Sequence, residues 1–186
     1  MTVLGVALFD KPPFENCICH GVIQAEDGKK LSKRLRNYPD IDDVFERIGS
    51  APLRWYLVSS PIMKGGDLRI DQEGKAIAEA VRLVINPIWN AYSFFCLYAN
   101  TDGVRAQLVD ARDGSRDDLQ LLDRYILAKT REMVEGIEGD LDAYDISGAC
   151  AHVLRLLDAL NNWYIRRSRP RFWGSEAGPD KQAAYD

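Results

Sequence analysis

From Gln72 onward, apolar residues recur three and four positions apart, and that period leaves the chain little to fold into except helices. Ile77, Val81, Val84, Ile85, Ile88, Tyr92 and Phe95 form one stripe. Leu119, Leu122, Ile126, Met133 and Ile137 form a second, and Ile146, Ala149, Val153, Leu157, Leu160 and Tyr164 a third. Amphipathic helices hide such stripes against one another, so the spacing predicts an antiparallel helical bundle. Pro87 has no backbone N–H and its ring crowds the preceding turn, so the first helix should kink near Leu83 to Asn86. Asn100 to Ser115 is expected as a loop. Pro179-Asp180 opens a further short helix.

The chain before Gln72 has a different grammar. Thr2 to Phe9 is apolar on all sides, as in a helix buried within a larger domain. Phe14 to Gln24 has the pattern of a strand, and Asp27-Gly28 is a tight-turn dipeptide after it. Asp40 is placed to cap a helix carrying Ile41, Val44, Phe45 and Ile48, which Gly49 ends, and a second short helix should run from Ser50 to Ser59. Pro61 and Gly65-Gly66 then break the pattern. These features predict a small α/β part over residues 1–65 and a mainly α part over residues 66–186.

With 186 residues, 46% of them hydrophobic, the chain can bury a real core. A net charge of -4 argues against a wholly basic nucleic-acid binder, but the charge is uneven. Lys29 to Arg36 holds five cations and Arg166 to Arg171 four, whereas Glu132 to Asp145 holds six acids and no Lys or Arg. Four scattered cysteines and the lack of a recognisable signal peptide point to a reducing, cytoplasmic setting with free thiols. Cys17-Ile18-Cys19-His20 is the one cluster that invites a metal. It lacks a second Cys/His pair, so no metal site is assigned, and on a strand the two cysteines would share one buried edge. His152, on a helical stripe, is a packed or surface histidine by the same reasoning.

The basic segment after Asp27-Gly28 should lie on an exposed loop. By charge alone it could be a solvated run or a general nucleic-acid patch. Its residue order says more. Lys30-Leu31-Ser32-Lys33-Arg34 resembles the KMSKS loop of class I aminoacyl-tRNA synthetases, and Leu35 to Asp40 continues as in the isoleucyl branch. Ser50 to Leu57, Asn86 to Phe95 with Tyr98-Ala99-Asn100, and Asn161 to Arg169 with Arg171-Phe172-Trp173 are similar to further landmarks of that branch, in the same order. Leu31 stands where the family usually has Met, and Arg34 where it usually has Ser.

The resemblance implies a remnant of a Rossmann-type catalytic domain, followed by a truncated anticodon-binding bundle, both cut from a longer ligase. It implies ATP and Mg2+ for the full-length enzyme, with neither expected bound by this piece, which should be catalytically silent. Lys33 and Lys30 would be catalytic, and Lys30, Leu31, Ser32 and Lys33 would hold ATP. tRNA(Ile) is the implied partner, with ATP and isoleucine entering through missing parts, and neither DNA nor a membrane involved. Arg166, Arg167, Arg169, Arg171 and Trp173 are the candidate tRNA-binding set, since arginine pairs with phosphates and exposed aromatics stack on bases. Cations near a helix C-terminus and packed aromatics would look the same in sequence. A valyl or related synthetase, or a stand-alone helical RNA-binding module, are the alternatives.

Overall fold

The computed structural model of the chain describes residues 2–107, 119–174 and 178–186. Helix α1 (Thr2–Phe9) leads through an irregular stretch to strand β1 (Ile23–Ala25). Helices α2 (Ile41–Arg47) and α3 (Ser50–Val58), a 3-10 turn (Pro61–Lys64) and strand β2 (Leu68–Ile70) follow. Helix α4 (Lys75–Ala80) then passes through a π-helical segment, Val81–Ile85, into α5 (Asn86–Asp102). α6 (Leu121–Asp142) is followed by α7 (Ile146–Asp158), a second π-helical segment (Ala159–Ile165) and α8 (Arg166–Trp173), which together form one continuous helix; α9 (Pro179–Tyr185) ends the chain. The architecture is mainly helical, as the stripes predict.

The strand expected over Phe14 to Gln24 is reduced to Ile23–Ala25, the stretch that lies beside β2. The two pair in parallel, with Ile23 opposite Leu68 and Ala25 opposite Ile70. Cys17 and Cys19 therefore lie outside any sheet, and both are exposed. β2 begins just past Gly65-Gly66 and packs in one unit with the elements before it. Its core is Val44, Leu53, Ile70 and Ile77, drawn from α2, α3, β2 and α4. Asp40 caps α2 as expected, accepting from the Asp42 backbone N–H at 2.9 Å. α1 is apolar but not covered: Val3, Leu8 and Phe9 are each at least 70% exposed.

Among the helices, the distortion expected around Pro87 is a π-helical segment rather than a simple bend. α5 runs three residues into the expected loop before Gly103, in a left-handed conformation, ends it; residues 108–115 of that loop lie outside the described residues. α6 and α7 form an antiparallel hairpin. A methyl group added at Gly136 on α6 would stand 2.1 Å from the His152 ring on α7, so only glycine permits this approach. His152 donates from Nε2 to Asp140 at 3.1 Å and accepts at Nδ1 from Arg155 at 2.7 Å, which occupies both ring nitrogens within the hairpin. α8, α9 and α5 meet at Phe172, whose ring sits edge-on to Phe94 and Tyr185, both at 5.1 Å.

Candidate functional site

β1 delivers the chain into the basic loop through the Asp27-Gly28 turn. Gly28 takes φ +78°, a conformation open to glycine at little cost, and donates to the Ala25 carbonyl at 2.9 Å. Asp27 accepts the Lys29 backbone N–H at 3.0 Å and pairs with its ammonium at 3.0 Å; those two contacts hold the carboxyl below its ordinary range. Lys29 thus belongs to the turn. Lys30 then bridges back to Gln24.

Asn37 closes the loop from the other side. Its side-chain oxygen accepts from the Ser32 backbone N–H at 2.8 Å, and its amide donates to the Lys30 carbonyl at 3.2 Å. Arg36 N–H donates to the Ser32 carbonyl at 2.9 Å, and the Gln72 side chain donates to the Arg36 carbonyl at 3.1 Å. Leu31 packs against the Val44, Leu53, Ile70 and Ile77 core. The backbone is therefore fixed on both flanks, while Lys33 and Arg34 stand exposed at the apex. Among the described residues, Lys30, Lys33 and Arg34 have no ion-pair partner. The sequence pointed to the four residues Lys30 to Lys33, and the structure places them in one short loop with separate settings. It missed Asn37, although an asparagine in a turn-rich stretch is a known clamp on nearby backbone groups.

The second cluster divides. Arg166, Arg167 and Arg169 are exposed on the last turns of the long helix, with Trp173 60% exposed beside them. Arg167 lies over the Trp163 ring, 4.6 Å from its centroid, a cation–π contact that steadies both. Arg171, grouped with its neighbours by sequence, turns inward instead. Its guanidinium grips Asp123 through two nitrogens at 2.6 and 3.0 Å and reaches the Asp180 carboxylate and backbone carbonyl. Asp123 is 3% exposed and also accepts from the Tyr164 hydroxyl at 2.9 Å and the Gln120 backbone N–H at 2.9 Å. Burial pulls Arg171 down, but the bonds and charges of Asp123 and Asp180 outweigh it and leave the group above its ordinary value. Burial, then the Asp123 charge, pushes the Tyr164 hydroxyl up, so it stays a neutral donor. These bonds tie α8 to α6 and α9. Sequence could not pair Arg171 with Asp123, 48 residues apart.

Among the described residues, no three His, Cys, Asp or Glu side chains converge as metal ligands, and no helix is long and apolar enough to cross a membrane.

Comparison with known proteins places these features. Residues 1–71 match the model for class I tRNA synthetases (I, L, M and V), and residues 123–186 match the anticodon-binding domain of tRNA ligases. The isoleucine–tRNA ligase of Rickettsia felis is 50% identical over 186 residues, all of this chain and 16% of the relative. Those of Wolbachia pipientis wMel and Leifsonia xyli are 46% and 49% identical over 99% and 97% of the chain, and 16% and 15% of their own lengths. This chain thus spans about a sixth of the curated relatives it matches. A leucyl-tRNA synthetase of Agrobacterium radiobacter K84, solved in a ternary complex with tRNA and LeuAMS, shares the fold over 99% of this chain and 22% of its own, with a TM-score of 0.66 at 19% identity. A clamped basic loop on a small α/β unit, joined to a helical bundle and aligned from end to end with isoleucine–tRNA ligases, places the chain in the class I tRNA synthetase family.

Proposed function

We propose that this chain is the loop-bearing and tRNA-facing part of an isoleucine–tRNA ligase. In the reaction of such a ligase, the isoleucine carboxylate attacks the α-phosphorus of ATP, the bond to the bridging oxygen breaks, and pyrophosphate leaves; the acyl group then passes to tRNA(Ile). Negative charge grows on the leaving pyrophosphate, and a cation held in reach of it lowers the barrier. One observation supports that role for Lys33: it is an exposed ammonium, without an ion-pair partner among the described residues, at the apex of a loop whose backbone is clamped on both flanks. Lys30 and the Ser32 hydroxyl would steady the triphosphate, and Leu31, packed against the core, would hold the loop's ATP-facing backbone in place. Arg166, Arg167, Arg169 and Trp173 form the tRNA-facing surface, and the cytoplasm is the setting. The loop is cationic, so Mg2+ would arrive with the ATP phosphates in the full-length enzyme. We place the catalytic remnant before the π-helical segment at Val81–Ile85 and the tRNA-binding bundle after it.

The test is isoleucine-dependent ATP–pyrophosphate exchange by the full-length ligase. Lys33→Ala should slow exchange by on the order of 100-fold while leaving tRNA affinity nearly unchanged. Near-normal exchange would remove the phosphate role from this loop.

A further inference from the structure

Cys17 and Cys19 sit where the sequence led us to expect a buried strand edge, yet both thiols are exposed. The stretch between Lys11 and His20 makes no main-chain to main-chain hydrogen bond among the described residues, so no sheet or helix fixes its dihedral angles. It is held at its borders instead. The Asn16 amide donates to the Tyr144 hydroxyl at 3.4 Å, and the Gly21 N–H donates to the Ile62 carbonyl at 2.8 Å. Gly21 also lies so close to Gly66 that a Cβ there would come within 1.8 Å of its carbonyl oxygen. Two exposed thiols two residues apart, on backbone free to turn between two fixed points, can bring their sulfurs together without breaking other bonds. They already interact: a hydrogen bond to Cys19, and then its charge, push the Cys17 thiol above its ordinary value. Cys96 is half-buried and Cys150 buried, so neither competes on access.

We propose that Cys17 and Cys19 are a redox site that forms a reversible intramolecular disulfide with a hydroperoxide as oxidant. One thiolate attacks the peroxide O–O bond, taking an oxygen to become a sulfenic acid and releasing an alcohol, or water from hydrogen peroxide. The second thiol then attacks that sulfur; the S–S bond forms, the S–O bond breaks and water leaves. In sum, two thiols give up two protons and two electrons, and the hydroperoxide is reduced to an alcohol, or water, and water. A bridge over a single intervening residue closes a small, strained ring, which low-mass thiols reopen readily. Such a bond suits sensing better than stabilisation, since a loop this short restrains little of the unfolded chain. The site is independent of the loop chemistry proposed above.

Hydrogen peroxide applied to the purified chain, followed by trypsin and mass spectrometry, tests it. Lys11 precedes Pro12, so trypsin leaves Met1 to Lys29 as one peptide holding both cysteines. That peptide should lose two hydrogens, resist alkylation, and regain two alkylatable thiols with dithiothreitol. Cys17→Ser and Cys19→Ser, both at exposed positions, should lose no hydrogens and collect sulfinic acid or chain-to-chain dimers instead. Wild-type chains that add oxygen to either sulfur, cross-link between molecules, or keep both thiols alkylatable while Cys96 oxidises would overturn the assignment.

Discussion

At the scale of single residues, the loop divides between groups that hold its backbone and one exposed group without an ion-pair partner among the described residues. Leu31 sinks into the core, Asn37 ties two backbone groups, and Lys33 is left with nothing to do in the folded chain. A side chain kept free of internal partners keeps its full charge for a ligand. Asn37→Ala removes two hydrogen bonds on a partly exposed loop and should cost about 1 kcal/mol of local order, roughly a fivefold rise in the open population. Limited trypsin digestion after Lys33 and Arg34 should accelerate by about that factor, with global melting unchanged. An unaltered cleavage rate would mean the clamp is not what orders the loop. The order of Lys30 to Arg34 made the loop legible in sequence, because residue types and spacing carry that information. Asn37 was not legible as a clamp, since its role depends on a bend at Arg36 (φ +46°) that brings it back onto Ser32 and Lys30.

At the scale of elements, the long helix from Ile146 to Trp173 faces two ways at once. Tyr164, Ser168 and Phe172 recur four apart and are buried, while Arg166, Arg167, Arg169 and Trp173 lie outward. The inner face carries the Asp123–Arg171 pair, with both side chains little exposed. Removing one partner of such a pair strands a buried charge, which typically costs about 3–5 kcal/mol. Asp123→Ala should therefore lower the melting temperature by roughly 6–20 °C, followed by circular dichroism. The double variant Asp123→Leu with Arg171→Met should recover most of the loss, because an apolar pair of similar volume needs no compensating charge. A double variant as unstable as the single one would assign the loss to Tyr164 and Gln120 instead. The stripes announced each of these helices. What they could not announce was the form of the irregularity: Pro87 marks a break, but the π-helical turns at Val81–Ile85 and Ala159–Ile165 have no signature in the spacing of the stripes.

At the scale of the molecule, two units meet at a small polar joint. Lys64, on the turn before β2, pairs with Asp145 at 2.8 Å, and Asp145 also caps α7 by accepting the Gly148 N–H at 2.8 Å. The Lys64 contact first, then that N–H, hold the Asp145 carboxyl below its ordinary value. A depressed carboxyl adds stability above its unfolded pKa and loses it as the pH falls through the folded one, so the Asp145 side of this contact weakens in acid. The loop proposed for polyphosphate and the helix end proposed for an RNA backbone belong to the two units that this contact joins. If Arg166 and Arg169 meet phosphates, each releases counterions on binding, and log affinity should fall less steeply with log salt when they are lost. Arg166→Gln with Arg169→Gln in the full-length ligase should weaken tRNA binding and flatten that slope by about two units, one per contact, without moving the melting temperature. Arg171→Gln should do the reverse, lowering stability and leaving the slope alone, because its guanidinium is already committed to Asp123 and Asp180. Filter binding across a salt series separates the two. An unchanged slope in the folded double variant would make the outer arginines a solvated helix end, and would move the tRNA-facing surface elsewhere on the bundle.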